Sequence, residues 1–372
     1  MAGSTYGTAI RVTTFGESHG PALGAVLDGF PAGMALSEAD IQPYMDRRKP
    51  GQSAITTPRK EADEVRILSG VFEGRTTGTP IALLLENTSQ RSADYSNVAH
   101  TYRPGHADYT YDMKYGFRDY RGGGRSSGRE TAGRVAAGAV CAKLLSEMGI
   151  TVTAYTRSIG PVEISPDKRS PEGLDPELRL RTMTGMPDEE ADARAQEFLK
   201  KCMEEKTSAG GVIECRISGV PAGIGEPVFD KLDAELAKAV MSIGAVKAVE
   251  IGDGCEAAGL QGQEDNDAFR IAADGSVCKK TNHAGGILGG ISDGSDILLR
   301  ASIKPTPSIF RPQETVTDQG EETELILAGR HDPVIVPRAV VVVESMCAIT
   351  ILDAMIRGVG ARADQLISFN RR

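Results

Sequence analysis

Gly29-Phe30-Pro31-Ala32-Gly33-Met34 leads into a segment opened by Ser37-Glu38-Ala39-Asp40, and much later Gly219-Val220-Pro221-Ala222-Gly223-Ile224 leads into a second such segment at Asp230. Ser37 suits a helix N-cap and the acids after it suit a first helical turn. Asp230–Ser242 places its apolar residues at helical spacing. Ile10–Thr14 and Gly24–Leu27 read as short strands around the loop Phe15–Pro21, and Gly211–Ile217 and Ala248–Ile251 as strands around the second stretch. Each Gly-x-Pro-Ala-Gly therefore carries the chain from strand to helix. That is the pattern of a duplicated sheet-plus-helix unit, although six matching residues also arise by chance. The mixture predicts an α+β or layered α/β fold.

Two further helices stand out. From Glu130 to Met148, Val135, Ala136, Ala139, Val140 and Leu144 recur at helical spacing and Gly149 closes the segment. Ala339–Arg357 is the most apolar stretch, but Glu344 and Asp353 interrupt it, which predicts a buried central helix capped by Gly358 rather than a membrane anchor. Ser158–Arg181 is rich in proline and charge and Asp188–Lys206 reads as a polar helix, so residues 158–206 are expected to be a peripheral insertion in one large domain spanning 1–372.

The 372 residues carry 42 Lys and Arg against 51 Asp and Glu, a net charge of −9. Residues 1–135 are nearly balanced, with 16 basic against 15 acidic side chains, so the positive charge is placed early. It gathers in Asp46-Arg47-Arg48-Lys49-Pro50-Gly51 through Arg59-Lys60, and between Arg103 and Arg134. Basic residues interleaved with Gly and Asp in an acidic chain suit a small anion better than nucleic acid. No stretch offers the roughly 18 uncharged apolar residues of a membrane span. The six cysteines, Cys141, Cys202, Cys215, Cys255, Cys278 and Cys347, include no C-x-x-C pair, and no histidine pair has metal-ligand spacing. A cytoplasmic, reducing location without a metal is the expectation.

Glycine is 43 of 372 residues, well above the usual ~7%, and it clusters in loops that look chemical. Arg121-Gly122-Gly123-Gly124-Arg125-Ser126-Ser127-Gly128-Arg129-Glu130 runs straight into the helix at Glu130. Small residues, hydroxyls and arginines at a helix N-terminus are anion-binding chemistry. The stretch is neither a Walker A loop, since Arg129-Glu130 stands where Lys-Ser/Thr belongs, nor a dinucleotide fingerprint. His19 in Glu17-Ser18-His19-Gly20 and His106 in Pro104-Gly105-His106-Ala107-Asp108 are loop histidines suited to proton transfer. His283 and His331 also neighbour Gly or Arg-Asp sequences, whereas His100 looks incidental. His283-Ala284-Gly285-Gly286-Ile287-Leu288-Gly289-Gly290-Ile291, Lys304-Pro305-Thr306-Pro307-Ser308 and Gly329-Arg330-His331-Asp332-Pro333 add backbone donors and cations. Together these loops fit a large site for something phosphorylated.

Phe15-Gly16-Glu17-Ser18-His19-Gly20, the Arg103–Asp108 and Asp119–Ser127 stretches, the His283 glycine run, Lys304-Pro305-Thr306 and Gly329–Pro333 together resemble the chorismate synthase family over almost the whole chain. The resemblance implies an α+β fold, a β-α-β sandwich of a duplicated unit, assembled as a homotetramer. It implies an anti 1,4-elimination in which 5-enolpyruvylshikimate 3-phosphate loses phosphate and a C6 hydrogen to give chorismate, dependent on reduced FMN without net redox change. By the same resemblance FMN is held by Arg125, Ser126, Ser127, Gly244, Ala245, Gly289, Lys304, Pro305, Thr306, Pro307, Ser308 and Arg330. Substrate falls to Ser18, Arg48 and Arg129, and catalysis to His19, His106 and Asp332. His19 with Arg48 and Arg129 would meet the departing phosphate, His106 would serve the flavin, and Asp332 would act as base through flavin N5. Two positions depart from the family pattern. Pro307 replaces a serine, and Ala54 replaces a basic residue tied to NADP or substrate, so NADP(H) enters only if the protein reduces its own flavin. A flavin-dependent oxidoreductase and a non-catalytic binding protein are the other classes to weigh. Arg125, read as an exposed loop arginine, is expected to contribute little to folding, and truncating His19, His106 or Asp332, in loops beside Gly or Pro, to change stability by less than about 1 kcal/mol.

Overall fold

The structure, a computed structural model, describes residues 3–51, 62–87, 98–170, 173–327 and 332–371. In the first half β1 (Thr5–Tyr6), β2 (Arg11–Gly16) and β3 (Ala22–Asp28) precede α1 (Glu38–Arg48). Then come β4 (Val65–Ile67), a hairpin of β5 (Val71–Phe72) and β6 (Arg75–Thr76), β7 (Ile81–Glu86), α2 (Asp108–Tyr115) and α3 (Thr131–Glu147). The second half opens with β8 (Thr151–Ile159), β9 (Val162–Glu163), α4 (Glu189–Glu204), β10 (Gly211–Ser218), α5 (Leu232–Met241) and β11 (Val246–Ile251). A short α6 (Gly262–Asp265) is followed by hairpins β12–β13 (Phe269–Ile271 and Val277–Lys279) and β14–β15 (Ile287–Leu288 and Ile291–Ser292). β16 (Ile297–Ile303), the hairpin β17–β18 (Gln313–Val316 and Glu322–Leu325), α7 (Val336–Gly358) and α8 (Ala363–Asn370) complete the chain.

Two antiparallel sheets result, in the orders β1-β2-β3-β7-β4 and β9-β8-β10-β16-β11. The orders correspond element by element, β2 with β8, β3 with β10, β7 with β16 and β4 with β11. α1 then matches α5, and α3 matches α7. The two Gly-x-Pro-Ala-Gly stretches have the same backbone, with φ of +82° and +96° at Gly29 and Gly33 and +84° and +102° at Gly219 and Gly223. Each docks on one hydroxyl residue. Thr76 Oγ1 accepts from Met34 N–H at 3.0 Å and donates to Pro31 O at 2.8 Å, while Ser292 Oγ accepts from Ile224 N–H at 2.9 Å and donates to Pro221 O at 2.6 Å. The paired backbone bonds, Gly33 N–H to Thr76 O and Gly223 N–H to Ser292 O, are both 2.8 Å. Chance matching does not reproduce a bonding pattern and a sheet order together, so the halves are one unit repeated.

Helices fill the space between the sheets. α3 packs on β2, β3 and β7, α7 packs on β8 and β10, and α3 and α7 pack on each other. Leu23, Leu27 and Leu83 from one sheet, Ile213, Ile217 and Leu299 from the other, and Val135, Val343 and Ile349 from the helices belong to one buried cluster. Among the described residues α7 alone is long and apolar enough to cross a membrane, and 89% of its apolar window is buried inside the protein. It begins before Ala339 because Pro337 suits a first helical turn, where its missing N–H is no loss. The expected insertion boundary at 158 falls inside β8, where Ser158 and Ile159 still pair with Val212 and Gly211. α4 then buries Ala191, Ala195, Leu199 and Cys202 in the main cluster rather than standing apart from it. The six cysteines are free.

α3 and α7 approach one another closely at Gly138. A Cβ added to Gly138 would lie 2.6 Å from Ser345 Cα, whereas one added to Gly358 would meet nothing within 4 Å. Gly138→Ala is therefore expected to cost about 1–3 kcal/mol through overpacking, and Gly358→Ala to stay within about 0.5 kcal/mol. Chemical denaturation of both variants checks this, and equal stabilities would contradict the packing.

Candidate active site

Because the halves repeat, the C-terminal ends of α1 and α5 and the N-terminal ends of α3 and α7 gather at one end of the helical layer. A cavity of about 240 Å³ lies among them, lined by Arg48, Ser127, Arg129, Gly244, Asp332 and Arg338. Arg48 closes α1, where a cation favours the helix dipole, and Ser127 caps the turn before α3 by accepting Arg129 N–H at 3.2 Å.

Arg48 and Arg129 are both buried, and the carboxylate of Asp63 joins them. Arg48 Nη1 donates to Asp63 Oδ2 at 2.7 Å, and Arg129 Nη1 donates to Asp63 Oδ1. Arg48 also donates to Gly128 O at 3.0 Å and Thr131 Oγ1 at 3.3 Å. Burial works against the charge of Asp63, but Arg48 and Arg129 outweigh it and hold the carboxyl below its usual range. Burial is also the largest influence on Arg48, and with like charge from Arg338 and Arg129 it brings the guanidinium down to about 9 against the pull of Asp63. Arg48 thus stays charged at neutral pH. Arg338 donates to Asp332 Oδ2 at 2.5 Å and to Arg48 O at 3.1 Å.

The His19 loop meets this cavity through Asn87. Asn87 Nδ2 donates to Glu17 O and Gly20 O at 3.0 and 2.9 Å, and its Oδ1 accepts from Arg129 Nε at 3.0 Å. His19 and Ser18 pack on Gly122, where a Cβ would come within 2.7 Å of His19 Cδ2 and 3.0 Å of Ser18 Oγ. Gly122 has φ of +81°, so both the conformation and the close approach call for glycine. Ser18 Oγ is buried with no hydrogen-bond partner among the described residues. Gly122 O in turn accepts from Arg103, which forms a bidentate pair with Asp108 and so fixes the start of the His106 loop.

His106 Nε2 lies 2.9 Å from Ser308 Oγ and its Nδ1 3.0 Å from Pro104 O. Lys304 Nζ donates to Gly105 O, and Lys304 N–H to Ala245 O, both at 2.9 Å, so the Gly244-Ala245 turn, the Lys304–Ser308 loop and His106 form one cluster. Thr306 Oγ1 is buried there without a partner among the described residues. Pro307 packs against Gly105, supplying a wall where the family pattern has a hydroxyl.

The remaining expected residues divide. Arg125 is not an exposed loop arginine: it donates to Gly16 O at 3.0 Å, Thr14 O at 3.1 Å and Thr14 Oγ1 at 2.6 Å, and lines a separate cavity of about 670 Å³. Ser126 Oγ is turned back to Gly123 O at 2.7 Å. Gly289 sits on the β14–β15 turn beside the N-terminus of α5, a helix length of about 15 Å from Gly244, so within this chain it does not join the cavity. Ala54, Arg59, Lys60, Arg330 and His331 lie outside the described residues. His19, only 8% exposed, and Asp332, paired with Arg338, are more embedded than loop positions suggest. Asp63, Asn87 and Arg338 were not foreseen. Arg338 carries a signal in hindsight, as a cation in the first turn of an otherwise apolar helix, where the dipole disfavours it unless an acid is near.

The chorismate synthase family model matches residues 10–356. The chain is 58% identical over 372 residues to the chorismate synthase of Agathobacter rectalis, covering 100% of both. It is 57% identical over 359 residues to that of Methanocella arvoryzae, covering 96% of this chain and 95% of the other. A crystal structure of chorismate synthase superposes with a TM-score of 0.76 at 34% identity, covering 95% of this chain and 94% of that one.

Arg125→Ala should destabilise the fold by about 1–3 kcal/mol, because it strips a charged donor from buried acceptors on β2. Denaturation midpoints check this, and a loss under about 0.5 kcal/mol would restore the reading of a loose loop arginine.

Proposed function

The chain belongs to the chorismate synthase family and is a lyase, and from that premise we propose that it converts 5-enolpyruvylshikimate 3-phosphate to chorismate by anti 1,4-elimination, with reduced FMN present and no net redox change. The observation that carries this reading is the cavity where two buried arginines joined by Asp63 face Asp332, with the His19 loop tied to one of them through Asn87. Departing phosphate gains negative charge, and Arg48 and Arg129 supply preorganised cations for it in a site partly withdrawn from water. In this reading His19, held against Gly122 on the loop that Asn87 ties to Arg129, would donate the proton. Asp332, oriented by Arg338, presents a carboxylate for the proton lost from C6.

The residues present also fit a flavin phosphate and its neighbours. Lys304, Ser308 and Thr306, whose hydroxyl has no partner among the described residues, offer a cation and polar groups beside His106, the Gly244-Ala245 turn adjoins them, and Ser127 lines the arginine cavity with Gly244. When bound, reduced FMN supplies an electron-rich partner for the elimination. His106, bonded to Ser308, would hold a hydrogen bond to it, and Pro305 and Pro307 would shape the loop. The engagement of Arg125 and the distance of Gly289 leave those two assignments resting on family resemblance. So do a cytoplasmic homotetramer and any use of NADP(H). Light scattering at micromolar concentration should give about four times 39.4 kDa, and a single-chain mass would refute the assembly.

Chorismate formation from the phosphorylated substrate, assayed anaerobically with chemically reduced FMN, tests the reading. His19→Ala, His106→Ala and Asp332→Ala should each lose about 10²–10⁴-fold in single turnover with flavin prebound. Thermal melts taken alongside should show His106→Ala near wild type, and larger losses for His19→Ala, which opens a buried space, and Asp332→Ala, which strips Arg338 of its acid. Near wild-type turnover in any folded, flavin-loaded variant removes that residue from the mechanism.

A further inference from the structure

Asp63 precedes β4, is 3% exposed and has φ of +50°, an uncommon conformation for a residue with a Cβ. Burying a carboxylate is costly unless it is paired, and the two oxygens of Asp63 go to different arginines, Oδ2 to Arg48 and Oδ1 to Arg129. Both arginines line the cavity. A guanidinium has five N–H donors. Among the described residues three from Arg48 are taken, by Asp63, Thr131 and Gly128, and three from Arg129, by Asp63, Asn87 and, at 3.5 Å, Glu86. The others, two on each, make a set suited to one phosphate dianion gripped from two sides.

We propose that Asp63 is a positioning residue for capture of the substrate's phosphate: by holding one Nη of each arginine it fixes the spacing of Arg48 and Arg129 and leaves the group with one net positive charge. This rests on reading the cavity as the phosphate site. Without the carboxylate the two guanidinium groups repel one another and swing apart. Either still takes a small free anion. Neither alignment survives for a phosphate whose position is already dictated by the carbon ring that carries it, so the loss falls on the full substrate.

Calorimetric titration without flavin tests this, with the phosphorylated substrate and inorganic phosphate as ligands, on wild type, Asp63→Asn and Asp63→Glu, each below its melting temperature. In Asp63→Asn the Kd for substrate should rise at least tenfold while that for phosphate changes less than threefold. Asp63→Glu restores the charge but displaces it by one methylene, and should weaken substrate by three- to tenfold. Parallel weakening of both ligands in Asp63→Asn would show a merely structural role, and substrate affinity within twofold of wild type would remove any role; either overturns the proposal. Should Asp63→Asn not fold, Asp63→Glu decides, and affinity within twofold of wild type overturns the spacing argument. Wild-type protein that binds neither ligand would instead overturn the reading of the cavity itself.

Discussion

Gly138 of α3 lies so close to Ser345 of α7 that a Cβ at position 138 would come within 2.6 Å of the Ser345 Cα. This contact joins equivalent helices of the two repeated halves, and the rest follows from it. With α3 and α7 held together, their N-terminal ends lie side by side, and α1 and α5 bring their C-terminal ends to the same place. Each sheet then closes over its own pair of helices. The cavity is the space left where four helix ends converge.

A repeated architecture would give a symmetric cavity, and the side chains that line this one break that symmetry. The C-terminal end of α1 supplies Arg48, whereas the equivalent end of α5 supplies the small residue Gly244. The turn before α3 carries Ser127 and Arg129, and the start of α7 carries Asp332 and Arg338. One half thus contributes the paired cations Arg48 and Arg129, and the other contributes room and the Asp332–Arg338 ion pair. Asp63 and Asn87, both from the first half, anchor the cations to each other and to the His19 loop.

Much of this was legible in the sequence because it is local. The Ser37 N-cap with its first-turn acids, the strand-to-helix turns and the long α3 and α7 are written in periodicity and in residues within a few positions of one another. The loops bearing His19, His106 and Arg129 announce themselves by glycine and charge. Asp63, Asn87 and Arg338 do not, because their meaning lies in partners far along the chain: Asp63 meets Arg129 across 66 positions and Arg338 meets the Arg48 carbonyl across 290. Arg125 reads as a loop arginine for the same reason. Its neighbours in sequence are glycine and serine, but its hydrogen bonds go to β2. Gly289 shows the converse, a residue in a loop of the right composition that folding places at the other end of α5.

On the proposed reading, a site built on two arginines, a histidine loop and a carboxylate performs an elimination that needs reduced flavin without consuming it. Phosphate release followed by phosphorus NMR under anaerobic conditions, with reduced FMN in large deficit over substrate and its absorbance recorded throughout, addresses this directly. The account predicts many phosphates released per flavin with the flavin still reduced at the end. Release that stops at one phosphate per flavin, with the flavin left oxidised, would contradict it and make the protein an oxidoreductase.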